Sequence, residues 1–192
     1  MHELEATETV SKTMSQILKT GTRLILRRGE EADLNFILGL QAAPDNCELV
    51  LPFDREEHLK ALRGDEEVMD VIVEEKATGE AVGYLRVAGL NNPHKEIEWT
   101  HVIIAKKGRG YGHEAMKLIK AWTFETKKAH RAWLDCKEYN ERALHLYEAE
   151  GLKREGLIRE TIFHCGRYEN LVILGILDRE YLARKEQGLE RL

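Results

Sequence analysis

A chain of 192 residues, 43% hydrophobic and 33% charged, is long enough for one packed domain, and no apolar run approaches the ~20 residues of a membrane span. A net charge of −5 argues against nucleic acid as a partner and for a cationic substrate. Three scattered cysteines, Cys47, Cys136 and Cys165, form neither a metal motif nor a disulfide framework, which fits a reducing cytoplasm.

Residues 1–21 alternate charges without a continuous apolar stretch, so a secretory signal is not expected there. Val10, Met14, Ile17 and Leu18 recur at near-helical spacing, which fits a short amphipathic helix or a frayed extension. Leu24 to Arg27 reads as a first strand. Gly29 to Asp33 turns into a helix with apolar positions Leu34, Ile37, Leu38 and 40–42, ended by Pro44. Asp45 to Pro52 reads as a loop, and Asp54 to Arg63 as a charged helix. Val68 to Glu75, Ala81 to Leu90 and Glu96 to Ile104 are three strands joined by the turns Ala77-Thr78-Gly79-Glu80 and Asn91-Asn92-Pro93-His94, an antiparallel meander. Strict alternation in the third strand puts Glu96, Glu98, Thr100 and Val102 on one face and Ile97, Trp99, His101 and Ile103 on the other.

The meander runs into Lys107-Gly108-Arg109-Gly110-Tyr111-Gly112, followed by a helical run from His113 to Thr126. Strand, glycine-rich turn and helix is an order that holds phosphate. Glycines permit close backbone approach, and the amides at a helix N-terminus favour an anion. The alternative is a tight turn with solvated basic residues. Arg131 to Cys136 follows as a strand with Trp133, Leu134 and Cys136 as core candidates. Asn140 caps a helix bearing Ala143, Leu144 and Tyr147, which Gly151 stops. Arg154 to Phe163 and Tyr168 to Leu177 are two final strands, and Asp178 onward reads as a charged helix.

This order resembles the GNAT superfamily of acetyl-CoA-dependent N-acetyltransferases over roughly Arg23 to Tyr181. Lys107, Gly110 and Gly112 are similar to the family pattern Arg/Gln-x-x-Gly-x-Gly/Ala. Asn140, Ala143, Leu146-Tyr147 and Gly151 are similar to its Asn-x-x-Ala-x-x-Leu-Tyr-x-x-x-Gly-Phe element. A weaker likeness is the start Leu26-Arg27-Arg28 with an acidic helix after it. The stretch Arg167 to Val172 looks like the branch of ribosomal-protein N-terminal and polyamine acetyltransferases. Two positions depart: Lys107 replaces Arg or Gln, losing the planar fork, and Leu152 replaces Phe.

The resemblance implies an α/β (α+β) fold with a central mixed, mostly antiparallel sheet flanked by helices and splayed between the fourth and fifth predicted strands. It implies an extension over 1–21, the catalytic domain over 22–183 and a tail over 184–192. Acetyl-CoA is the implied co-substrate, with no metal. Its pyrophosphate would lie on the backbone of Lys107, Gly108, Arg109, Gly110, Tyr111 and Gly112. Its pantetheine arm would run along Val102, Ile103 and Ile104 and bond Asn140. The Val102 amide would polarise the thioester carbonyl.

Acetyl transfer needs a neutral amine. An alkylamine with a pKa of about 10.4 is mostly protonated at pH 7, so deprotonation costs about 4–5 kcal/mol without a base. Glu98 and Glu96 are the base candidates, on the reading that they share the face of Val102. Tyr147 is the candidate proton donor to the leaving sulfur and a cofactor contact. His101, of opposite parity, is expected to be packed. Cys136 and Cys165 lack a His-Asp pattern and read as buried structural residues rather than nucleophiles. The acceptor is an amine-bearing small molecule or peptide N-terminus, with the loops Pro44 to Glu57 and Ile162 to Glu169 expected to select it. A homodimer through the last strands stays open, as does a non-catalytic CoA-binding module. A dinucleotide-binding fold is disfavoured by the antiparallel meander before the glycines.

Overall fold

A computed structural model describes residues 16–192 of the chain. Its strands are β1 (Ile17–Thr20), β2 (Leu24–Arg28), β3 (Val68–Glu75), β4 (Glu80–Ala88), β5 (Glu96–Ile104), β6 (Arg131–Lys137), β7 (Lys153–His164) and β8 (Arg167–Leu177). Its helices are α1 (Leu34–Ala42), α2 (Pro44–Cys47), α3 (Arg55–Leu62), α4 (Tyr111–Ala121), α5 (Glu141–Ala149) and α6 (Asp178–Glu186). The strands form one open sheet in the order β1-β2-β3-β4-β5-β6-β8-β7. Every pairing is antiparallel except β5 with β6. None of the described helices is long and apolar enough to cross a membrane.

The sheet has a core on each side. Leu24, Leu26, Val71, Leu85, Val87, Ile97 and Trp99 alternate onto one face, where α4 supplies Ala115, Leu118 and Ile119. Ile72, Tyr84 and Ile103 point the other way and meet Leu34 and Ile37 of α1 and Leu62 of α3. Each fully buried aliphatic side chain contributes about 1.5–3 kcal/mol, so these two stripes fix which helix covers which face. Local signals end the elements as expected. Asp54 and Glu57 cap α3 reciprocally, and Asn140 Oδ1 accepts the Ala143 amide at 3.3 Å to cap α5. A buried ion cluster ties the C-terminal segment to α4: Lys120 Nζ, with none of its side chain exposed, lies 3.0 Å from Glu150 and 2.6 Å from Glu190.

Several expectations are corrected. Ile17 and Leu18 lie in a strand, not a helix, because β1 pairs with the edge that β2 would otherwise leave open. Val10 and Met14 lie outside the described residues. With β1 added, the predicted splay falls between β5 and β6. Pro44 starts the one-turn helix α2, where its missing amide costs nothing. Trp133 is half-buried on the helix-free face of β6, with Arg131 over its ring at 5.7 Å, rather than in the core. Cys165 is exposed.

The largest correction concerns β5. Arg86 pairs with His101 but Val87 pairs with Trp99, so Thr100 is an unpaired bulge. A bulge inserts one residue and reverses the alternation beyond it. Val102 and Ile104 therefore join the α4-side core with Ile97 and Trp99. His101 and Ile103 share the opposite face with Glu96 and Glu98, so the two glutamates do not share the face of Val102.

Candidate active site

β5 and β6 pair over only Glu96–Arg131, Ile97–Ala132 and Glu98–Trp133. They diverge from Trp99 onward, next to the bulge, and a bulge bends its strand and increases its twist. The gap holds a cavity of about 450 Å³. Val102, Ile103 and Ile104 of β5 form one wall, Lys107, Gly108, Gly110, Tyr111 and Gly112 the end, and Asn140, Ala143 and Tyr147 the other wall. Arg109 is the one predicted cofactor residue outside the lining. Its side chain is exposed and its carbonyl accepts from Arg23 Nη1 at 2.8 Å.

The turn has the geometry of an anion cradle. Gly108 and Gly110 have φ of 79° and 73°, left-handed values that favour glycine. A Cβ on Gly112 would lie 3.1 Å from Leu146, so the turn packs tightly on α5. Among the described residues, the amides of Gly108 to Gly112 meet no backbone acceptor in this turn, and they head α4. A helix N-terminus with orphan amides stabilises negative charge. Two of the side chains have other partners: Tyr111 hydrogen-bonds Glu75, and Lys107 Nζ lies 3.2 Å from Asp45 Oδ2. Asn140 lines the cavity and spends its oxygen on the α5 cap, which leaves its Nδ2 free of that bond.

A second cavity of about 200 Å³ lies on the other side of the gap. Glu98, Thr100 and His101 of β5 line it, with Asp135 and Lys137 of β6, Ile162 of β7, and Leu49, Val50, Leu51 and Phe53 from the segment after α2. The cavities share Leu49, Val50, Val102, Asn140, Ala143 and Tyr147. Tyr147 is 7% exposed, and its hydroxyl has no hydrogen-bond partner among the described residues. Burial, with smaller contributions from Cys136 and Asp135, holds this phenol far above its ordinary range, so it stays protonated.

Glu98 is raised from 4.5 to about 7 by burial, then by the charges of Asp135 and Glu96. Asp135, a residue exposed overall, is raised too, by partial desolvation of its carboxyl. Neither carboxylate has a cationic side chain within ion-pair reach among the described residues. Glu96 is different: Arg131 takes its carboxylate, and it lines neither cavity. Burial also pushes the Cys136 thiol up to about 12, which removes it as a nucleophile.

Sequence reasoning missed Asp135 and Lys137, whereas Leu49 to Phe53 falls within the loop Pro44 to Glu57 that it expected to select the acceptor. Asp135 had a signal: it alternates with Leu134 and Cys136 and so faces away from the core. Which residues of that loop reach the cavity had no local signal, because its position depends on side chains from two distant strands.

Residues 23–153 match the family profile of the acetyltransferase (GNAT) domain. The chain is 27% identical over 175 residues to a spermidine N(1)-acetyltransferase of Vibrio cholerae, covering 86% of this chain and 99% of that protein. It is 28% identical over 106 residues to a spermidine N(1)-acetyltransferase of Escherichia coli, 55% of this chain and 57% of that one. A crystal structure of spermidine N-acetyltransferase from Vibrio cholerae in complex with CoA and spermine aligns with a TM-score of 0.75 at 27% identity, over 83% of this chain and 98% of that chain.

Proposed function

The chain belongs to the acetyltransferase (GNAT) family and is an acetyl-CoA-dependent N-acetyltransferase, and we propose that it transfers acetyl to a primary amine of a small polyamine by direct attack in a ternary complex. One observation carries this reading. The long cavity that ends on the glycine turn meets, at Val102 and Tyr147, a second cavity whose carboxylates Glu98 and Asp135 have no counter-ion.

The first cavity fits acetyl-CoA, which supplies the activated thioester. The amides of Gly108 to Gly112 hold its pyrophosphate, and the backbone of Val102 to Ile104 pairs with its extended arm. Asn140 Nδ2 donates to an amide carbonyl of that arm. The Val102 amide stabilises negative charge on the thioester oxygen as it develops.

In the second cavity the acceptor arrives as an ammonium, drawn by Glu98 and Asp135. Glu98 accepts its proton. A carboxylate near pKa 7 is a better base than one at 4.5 by about 3 kcal/mol, which lowers the cost of freeing the amine. The amine nitrogen bonds to the acyl carbon as the carbon–sulfur bond breaks, and the proton the nitrogen sheds on becoming an amide passes to the departing thiolate, giving the CoA thiol. Tyr147 donates a hydrogen bond to the departing sulfur. A thiolate of pKa near 8.5 does not need a strong acid, and a protonated phenol suffices.

The test is acetyl-CoA consumption against a panel of spermidine, spermine, an amino sugar and N-terminal peptides. Spermidine or spermine is expected to give the highest kcat/KM. A peptide outpacing both polyamines, or no acceleration by either, overturns the acceptor assignment.

A further inference from the structure

The segment from Glu48 to Phe53 is neither helix nor strand, yet it lies between the two cavities, because Leu49 and Val50 line both. Its carbonyls are held by side chains from the two strands that splay. His101 Nε2, from β5, lies 2.9 Å from the Leu51 oxygen. Lys137 Nζ, from β6, lies 2.7 Å from the Glu48 oxygen, and the Tyr139 hydroxyl lies 2.8 Å from the same oxygen. Gln41 Oε1 accepts the Phe53 amide at 3.0 Å.

We propose that Glu48–Phe53 is a strap across the opened sheet, and that His101 and Lys137 are positioning residues that set its place over the acceptor cavity. The inference rests on reading the second cavity as the acceptor site.

The hydrogen-bond inventory supports specific roles. A carbonyl only accepts, so His101 Nε2 carries the proton given to Leu51. His101 is buried and, by burial first, lowered to about 4, so it is neutral and its Nδ1 is an acceptor. The Tyr84 hydroxyl, 2.5 Å from Nδ1, must then donate. This leaves His101 one tautomer and one task. The Thr100 bulge is what turns it toward the strap; strict alternation would put it on the α4 side with Trp99.

Lys137 is equally committed. Besides Glu48, its ammonium lies 2.7 Å from His164 Nδ1 and 2.7 Å from Glu169 Oε2. Its hydrogen bonds go to Glu48 and His164, and Glu169 stands beside it as an ion-pair partner. Lys137 joins the strap to the β7–β8 hairpin, the other stretch expected to select the substrate.

The test uses the full chain with His101→Leu, His101→Gln and Lys137→Met. Steady-state constants are measured for spermidine and acetyl-CoA, with hydrogen exchange of the amides in 48–53. One buried hydrogen bond corresponds to about tenfold. His101→Leu and Lys137→Met should each raise the spermidine KM about tenfold and speed strap exchange, leaving acetyl-CoA binding within about twofold. Glutamine can accept from Tyr84 and donate to Leu51, so His101→Gln should restore most of both. Unchanged spermidine KM and strap exchange in His101→Leu overturns the proposal. So does loss of acetyl-CoA binding in both His101→Leu and Lys137→Met, which would make these residues general supports. A wild-type protein inactive on spermidine sinks the polyamine reading alone; the exchange measurement, and the KM of the best amine in the panel, still decide the strap.

Discussion

Glu98→Gln separates the chemistry of this site from its stability. Glu98 is held at about 7 against an ordinary 4.5. A shift of about 2.5 units corresponds to about 3 kcal/mol, which solvent at this half-buried position reduces to roughly 1–3 kcal/mol. The folded pKa is raised, so the contribution of Glu98 to stability is complete below about 4.5 and is lost as pH rises through about 7. At pH 8 the wild-type protein therefore holds an unfavourable buried charge that glutamine does not have. Thermal melts should show Glu98→Gln more stable than wild type at pH 8 and no more stable at pH 4.5. Activity should move the other way. Loss of a general base costs about 10²–10⁴ in rate. The wild-type kcat/KM for spermidine should climb as pH rises through about 7, and that limb should vanish in the variant. Only the slower rise from amine ionisation, toward about 10, should remain. Release of CoA, followed by chromatography so that exposed Cys47 and Cys165 do not interfere, gives the profile. A variant that keeps the limb near 7, or that melts lower at pH 8, refutes the assignment.

Tyr147→Phe removes the hydroxyl proposed at the leaving sulfur; kcat should fall at least about tenfold while acetyl-CoA affinity by calorimetry stays unchanged. Gly110→Ala places a side chain on a backbone at φ 73°, costing about 1–2 kcal/mol. The acetyl-CoA KM should rise about tenfold and the spermidine KM should not move, as steady-state kinetics would show. Lys120→Met removes the cation that Glu150 and Glu190 share, leaving Glu190 with Arg184 at 2.6 Å and Glu150 with His113 at 2.8 Å. Denaturant titration should show a loss of about 3–5 kcal/mol, and a change under 1 kcal/mol would argue that the remaining partners of the two carboxylates suffice without Lys120.

The sequence by itself determined the parts that local rules govern. The glycine turn needs left-handed backbone, and the residues from Lys107 to Gly112 announce it. Asn140 marks a helix start because its side chain can reach an amide three residues on. The meander is legible because alternation and turn chemistry act over a few residues. From these parts came the cavity proposed for the cofactor, whose lining includes every residue assigned to it except Arg109. Tertiary structure decided what depends on pairing across the sheet. The Thr100 bulge exists only in the register between β4 and β5, and one unpaired residue sent Val102 to one face and Glu98 and His101 to the other. Asp135 joins Glu98 because two strands diverge, and Glu96 is lost to Arg131 because they still pair there. The strap from Glu48 to Phe53 has no local code. Its place is set by His101 and Lys137, which are 50 or more residues away along the chain and reach its carbonyls only once the sheet is formed.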